Sequence, residues 1–468
     1  MIKKTRLIIL FVCVSCFLVS TPVLVAYSIG YRFDFEKMKI TLTGGIYVRT
    51  FPAPEQVVID SKIIEKPGIF SNATFTQSLL PTQHTVLAQK TGYYDYFKTI
   101  PVEEKEVTKL ENILLIKKDI SFQDVSDKVD YFSAAPNNQN IITGTENAKN
   151  TTFNYFPLSS GNQPQTFLIA QAGQISDIKW SEDSSMAIIE LTTKTSIFYY
   201  LFDKSLLSQT SPSNLVAAQP NPTVRLSYLD KNTTQISFNP QDAKEIFFVK
   251  TKTIYSAKNN KTSAIINNAL AYKISGTNIL WLSTDGFLYS SDFSGKLIGQ
   301  LATKNIVISP SESYQIFIFS GKTYLQADGS LFSLNQSEKT LEDMMTPGPD
   351  YEISVSQDQK NLLYCGDKSI YLYPFADKTY EKIFSGDQIS SCGWLNNYYI
   401  IFTSGDKIII SEIDYRGSIN MVTLPQTAVA SPENKVDIVK PVIFFNPKDN
   451  KLYILTNNTL LASEKLIP

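Results

Sequence analysis

Apolar positions are distributed along this chain in two ways. From Leu7 to Ile29 they form a continuous uncharged run, preceded by Lys3, Lys4 and Arg6. At 1.5 Å of rise per residue the run makes a helix roughly 34 Å long, enough to cross a bilayer core with slight tilt. Nothing comparable recurs downstream. There the apolar residues come in short runs separated by Pro, Gly, Asn, Asp and Ser, which predicts short strands and tight turns. The expected class is all-β, behind a single N-terminal transmembrane helix.

A cleaved secretory signal has an apolar core of about 7 to 15 residues and a small-x-small cleavage site. The best candidate here, Leu24-Val25-Ala26, puts Leu24 where a small residue is preferred. A lipoprotein reading would need a Leu-small-small box before Cys16, but Cys13-Val14-Ser15 stands there. Pro22 is tolerated in a spanning helix whose neighbouring groups compensate. The segment therefore reads as an uncleaved signal-anchor, ahead of a cleaved signal or a buried soluble helix. Arg32, Lys37 and Lys39 beyond the span leave little positive-inside bias. The six-residue tail decides orientation: so short an N-terminus stays inside while the long C-terminal part is exported. The expected layout is a cytoplasmic tail (1–6), a transmembrane helix (7–29), a linker (30–39), a β-sandwich (40–118) and a β-propeller (119–468). The expected location is a single pass through the cell membrane with the bulk extracytoplasmic.

Within 40–118, Ile46–Arg49, Val57–Ile59, Thr85–Ala88 and Ile113–Ile116 are strand-like runs between turn residues, the pattern of a small sandwich. Their order carries a resemblance. Phe51-Pro52-Ala53-Pro54-Glu55 precedes Val57-Val58-Ile59-Asp60, then Lys66-Pro67, Leu79-Leu80-Pro81-Thr82-Gln83-His84-Thr85-Val86 and Gly92-Tyr93 follow. This resembles the PEGA domain, a small bacterial surface-associated sandwich. The motif falls on Pro54, Glu55, Pro67, Pro81, Gly92 and Tyr93. The family's first turn is diluted here, and Thr82-Gln83 replaces the glycine expected after Pro81. The resemblance implies a structural role for these positions, with Gly92 supplying a left-handed turn and Tyr93 a packed corner.

From Ser121 the chain reads as repeats. Apolar runs recur around turns at Ala135-Pro136-Asn137, Trp180-Ser181, Phe238-Asn239-Pro240, Ile308-Ser309-Pro310, Val355-Ser356, Trp394-Leu395-Asn396 and Phe445-Asn446-Pro447. Lys273–Gly299 adds a unit turning at Gly276-Thr277-Asn278. Strand, polar turn, strand, second turn, strand, at about 40 to 50 residues, is how a propeller blade is written. Longer intervals after Glu182 and near Leu331–Asp350 read as insertions. Eight units with incomplete ends predict a ring of seven blades, eight being the alternative. The pattern resembles Tol-type and WD-repeat propellers without their Gly-His or Trp-Asp signatures, and a fold-level likeness implies little about activity.

Composition narrows function. Of 468 residues, 43% are hydrophobic and 19% charged, with a formal net charge of -1 and five scattered arginines. A duplex-binding surface needs a basic excess, so nucleic acid is not an expected partner. Cys13 and Cys16 lie in the apolar run; Cys365 and Cys392 are a candidate disulfide in an oxidising exterior. Neither CxxC spacing nor a partner histidine accompanies that second pair, so it does not read as a metal site. His84 is the single histidine and falls in the sandwich. A Ser-His-Asp or Cys-His mechanism in the propeller thus lacks its imidazole. Asp124, Asp127 and Asp130 cluster, as do Asp242 with Glu245 and Asp285 with Asp292, but such residues ordinarily cap turns. Trp180, Trp281 and Trp394 are expected to pack between blades rather than form a binding platform.

No catalytic, cofactor-binding or metal residue is expected, and the residues of the binding surface are unknown. The reading is a noncatalytic platform, anchored in the membrane through residues 7–29, that presents a β-propeller to a cell-envelope glycan or protein partner. The alternative is a carboxylate-dependent glycoside hydrolase or lyase acting in the propeller channel. A purely structural envelope component is a third reading.

Overall fold

The N-terminal run forms helix α1, Lys3–Ile29. Its Thr5–Ile29 segment is long and apolar enough to cross a membrane, and none of it is buried against the rest of the chain. Pro22 sits inside the helix, where Thr21 and Ser20 turn their hydroxyls onto the Phe17 carbonyl. The computed structural model describes residues 3–467 apart from 36, 65–71, 159–162, 208–220, 310–312, 328, 345, 349–350 and 430–434. Pro67 and Pro310 lie outside the described residues.

Residues 30–39, expected as a linker, include most of a hairpin: Tyr31–Asp34 pairs antiparallel with Lys39–Leu42. Two sheets follow. Gly44–Phe51 lies between Ala73–Leu79 and, in parallel, Val107–Leu114. The second sheet runs Lys62–Ile64, Gln56–Ile59, Gln83–Gln89, Tyr96–Pro101. Along Gly44–Phe51, Gln56–Ile59, Gln83–Gln89 and Tyr96–Pro101 alternate residues point inward, and Ile46, Val48, Ile59, Val86, Tyr96 and Ile100 are essentially dry. Burying side chains of this size contributes about 1.5–3 kcal/mol each, which lets so small a sandwich hold together.

Four-stranded antiparallel sheets cover 131–169, 174–225, 233–267, 269–300, 314–344, 352–385 and 392–423, here blades 1 to 7. The last sheet contains Val442–Asn446, Lys451–Thr456 and Thr459–Lys465, with Phe122–Asp127 added at its edge as the fourth strand. Among the described residues the propeller therefore has eight blades, which corrects the preferred count of seven. Neither end was incomplete: the first unit builds four strands of its own, and the upstream strand Phe122–Asp127 completes the last. The Leu331–Asp350 interval is likewise no insertion. Ser330–Asn335 and Thr340–Met344 are the third and fourth strands of blade 5.

The first strand of each blade faces the axis. Gln235, in a bulge at φ 50°, shows this directly. Its amide donates to the Tyr314 carbonyl at 2.7 Å and its carbonyl accepts from the Tyr272 N–H at 2.9 Å. One side chain on blade 3 thus ties the first strands of blades 4 and 5. Blades pack face to face, so neighbouring residues serve opposite neighbours. Ile189 joins Phe153 and Phe167 of blade 1, whereas Ile188 joins Phe238 and Phe248 of blade 3. That is why the second strands are apolar without alternation, as in Tyr399–Ser404, where every residue is buried.

The polar turns link blades as well as strands. Asn137, Asn239, Asn396 and Asn446 accept backbone N–H groups two residues on. Asn137 N–H also donates to Ser184, Asp358 N–H to Asn397, and the Asn446 amide to the Asn138 carbonyl, each across a blade boundary.

Candidate functional site

The edge strand Tyr96–Pro101 of the sandwich meets the loop that follows Lys407–Glu412 in blade 7. An uncovered sheet edge is a liability, and here the propeller covers it. Thr99 N–H donates to the Ser418 hydroxyl at 2.8 Å and Ser418 N–H returns a bond to the Thr99 carbonyl at 3.0 Å. Gly417, at φ +70°, permits the approach, because a Cβ there would fall 1.9 Å from the Thr99 carbonyl oxygen.

At the centre of this junction Lys98 donates to Glu412 Oε1 and to the Asp414 carbonyl, both at 2.6 Å. Tyr96 donates to Glu412 Oε2 at 2.9 Å, and Asn420 N–H to Oε1 at 2.8 Å. The Lys98 and Glu412 side chains are 0% and 6% exposed. Burial pushes the Glu412 carboxyl up despite Lys98 beside it, and burial with Glu412 pushes the Tyr96 phenol well up. Asp414 ends below its ordinary value: burial raises it, but the paired Arg416 guanidinium and Lys98 together outweigh that. Arg416 also donates to the Lys109 carbonyl of the sandwich at 2.9 Å. The Tyr399 hydroxyl accepts the Leu114 N–H at 3.0 Å. Tyr94, Leu114 and Ile116 of the sandwich share a core with Leu395, Tyr399 and Ile454 of blades 7 and 8.

Beside these contacts lies a cleft of about 340 Å³, walled by Lys109, Glu111 and Asn112 on one side and Asp377, Tyr398 and Arg416 on the other. It offers both charges and amide groups to a polar ligand.

A second cluster lies on blade 2. Asp177, on the innermost strand, stands directly opposite Glu190. Opposed residues have Cβ atoms about 4.5–5.5 Å apart. Lys179 reaches Asp177 at 3.7 Å. Burial raises the Glu190 carboxyl, with Asp177 adding to the rise and Lys179 opposing it. Burial and the two carboxylates push the Tyr131 and Tyr199 phenols up to about 12.

The residues singled out from sequence sit elsewhere. Asp242 and Asp292 cap turns, accepting from Lys244 N–H and from Ser294 and Lys296 N–H. Glu245 binds Asn239 and Ser256. Asp130 holds Glu146 N–H and the Asn458 amide; Asp124 and Asp127 are on the outermost strand of blade 8. Asp285, by its carbonyl, accepts from Asn305. His84 is buried in the sandwich with Nδ1 against Asp60 at 2.5 Å and Nε2 against the Leu80 carbonyl at 2.7 Å. Trp180, Trp281 and Trp394 pack against blade cores; the Trp180 and Trp281 indoles donate to Ser133 and Ser291. Cys365 and Cys392 are joined, Cα to Cα 6.2 Å, across blades 6 and 7. Pro54 is buried, Glu55 accepts from Thr91, and Pro81 is half-buried. Gly92 takes φ +81°, and Tyr93 packs on the sandwich core.

The fold defines an all-β propeller protein with a small sandwich and an N-terminal apolar helix that is a candidate membrane anchor or signal sequence. Among solved structures it is similar to BamB from Moraxella catarrhalis, at 10% identity and TM-score 0.42, covering 73% of this chain and 99% of that one. At that distance the likeness says nothing of what this chain binds. No protein-family model and no curated protein matches it.

Proposed function

We propose that this chain is a membrane-anchored, extracytoplasmic stand that presents a β-propeller, noncatalytically, to a cell-envelope polymer or partner protein. The single-pass anchor holds the base, and a PEGA-like sandwich spaces the disc from the bilayer. The observation that carries this reading is the buried Lys98–Glu412 contact with the surrounding backbone bonds. A flexible tether would need none of it; a platform whose face must keep one orientation to the membrane does. The junction cleft between Lys109 and Arg416 is the first candidate for the ligand. The test uses the full chain in lipid nanodiscs, screened against envelope glycans and envelope proteins. Retention of a defined glycan or protein, weakened by Asp377→Ala or Glu111→Ala, supports the platform; turnover of a glycan counts against it.

A second reading rests on Asp177 and Glu190. Two carboxyls with different environments, one pushed up by burial, are what a glycoside hydrolase or lyase uses as acid and base. If the chain is such an enzyme, Asp177→Asn and Glu190→Gln each abolish glycan cleavage while leaving the melting temperature close to that of the parent chain.

A further inference from the structure

The hairpin Tyr31–Leu42 is inside out. In a water-facing hairpin the apolar side packs on the protein and the polar side is wet. Here Tyr31 opposes Leu42 and Phe33 opposes Ile40, so these four side chains share one face. Arg32 with Thr41 and Asp34 with Lys39 share the other. Yet Asp34 and Thr41 are 1% and 3% exposed, whereas Phe33, Phe35, Met38 and Ile40 are 43%, 80%, 72% and 69% exposed. A one-residue slip of register would exchange the faces. The observed register is held from the polar side. Thr41 donates to Glu104 at 2.6 Å, and Arg32 donates to Ser78 at 3.0 Å.

The hairpin is fastened to the end of the membrane-crossing helix. Thr43, at the base of the hairpin, donates its N–H and its hydroxyl to the Gly30 carbonyl at 3.0 and 2.8 Å. Arg32 donates to the Tyr27 carbonyl at the helix end and lies over the Tyr27 ring at 3.4 Å. Phe35 packs edge-on against Phe33 at 5.0 Å, and the neighbouring Lys37 and Lys39 are exposed. Aromatic rings that sit at headgroup level, interleaved with lysines that reach phosphates, are the composition of the membrane interface.

We propose that the Tyr31–Leu42 hairpin is a membrane-docking element, with Phe33, Phe35, Met38 and Ile40 set into the boundary between headgroups and acyl chains. The inference rests on the anchor reading of α1 and adds a second attachment that fixes the tilt of the sandwich. Its occupant is the lipid of the same bilayer, because Thr43 and Arg32 hold the hairpin against the helix end at Gly30 and Tyr27, where the bilayer that covers the helix ends.

The test is fluorescence of the full-length chain in phosphatidylcholine–phosphatidylglycerol vesicles, comparing Phe35→Trp with the parent protein so that Trp180, Trp281 and Trp394 subtract out. The added emission is expected to be blue-shifted, quenched by lipids brominated high on the acyl chain, and untouched by aqueous iodide. Quenching by iodide with none by brominated lipid overturns the proposal. Protection from both also overturns it, and assigns the face to a second copy or another protein. A Phe17→Trp chain separates this from the anchor: quenching at 17 without quenching at 35 refutes the hairpin alone, and no quenching at 17 refutes the anchor.

Discussion

Lys98 of the sandwich and Glu412 of the propeller are 2.6 Å apart with almost no water on either. A buried pair of this kind is weak evidence of net stability, since desolvation offsets much of the attraction, but losing one partner strands the other charge. Lys98→Ala or Glu412→Ala alone is expected to destabilise the junction by about 3–5 kcal/mol. Lys98→Met with Glu412→Leu should recover most of that. Calorimetry of the three chains checks it; a double variant as unstable as the singles contradicts the assignment.

Gly417 approaches Thr99 more closely than any side chain allows. Gly417→Ala should lift the 413–420 loop from the strand edge, and strain at a positive φ costs on the order of 1–3 kcal/mol. Hydrogen exchange at the Thr99 amide, which Ser418 now protects, is expected to speed up while exchange in blades 1 to 5 is unchanged.

Cys365 and Cys392 close a loop of 27 residues between blades 6 and 7. Loop-closure entropy for that span gives about 3.5 kcal/mol. Reductant, or Cys365→Ser with Cys392→Ser, should lower the melting temperature to the same value. A reductant that shifts the double variant as well would show that the effect lies elsewhere.

Acid should weaken the disc through its turn carboxylates. Asp292 is held low by Ser294, Asp242 by Lys258 and Asp230 by Lys250; Asp183 is low because Ser181 and Ser185 outweigh its burial. For such groups the unfolded chain binds more protons in the window below the ordinary value of 3.8, so stability rises with pH there. It is fully present above that value and is lost as pH falls through the lowered ones. Glu412 and Glu190, raised from 4.5, have the opposite sign: their contribution is present below 4.5 and lost as pH rises through the raised value. Melting temperatures from pH 2 to 7 should therefore fall as the pH drops below 3.8. Asp292→Asn and Asp242→Asn should flatten that fall, and Glu190→Gln should leave it in place.

What was legible in the sequence follows from what is local. Asn137, Asn239, Asn396 and Asn446 announce turns because an Asn side chain caps its own backbone, and the apolar runs beside them announce strands. Blade number depends on a partner at the far end of the chain: Phe122–Asp127 looks like the start of a first blade until it is paired with Thr459–Lys465. Alternation puts Lys98 on the buried face with Tyr96 and Ile100, where a lysine is unexpected, and only Glu412, 314 positions away, explains its burial. Asp177 and Glu190 carry no spacing signature, since strand register brings them together. The alternation of Tyr31, Phe33 and Asp34 is visible, but the sequence does not say which side of the hairpin meets the protein.

The pairing of Phe122–Asp127 with Thr459–Lys465 also decides how the ring is closed. The strand that completes the last blade comes before blades 1 to 7 in the chain and its partner after them; Ser121 bonds Glu464, 343 positions on. Until Thr459–Lys465 is in place, the blades between the two strands form an arc that nothing closes. A chain interrupted before Thr459 is therefore not a slightly smaller disc. It is a ring that cannot shut, with Phe122 and the face of blade 8 left bare.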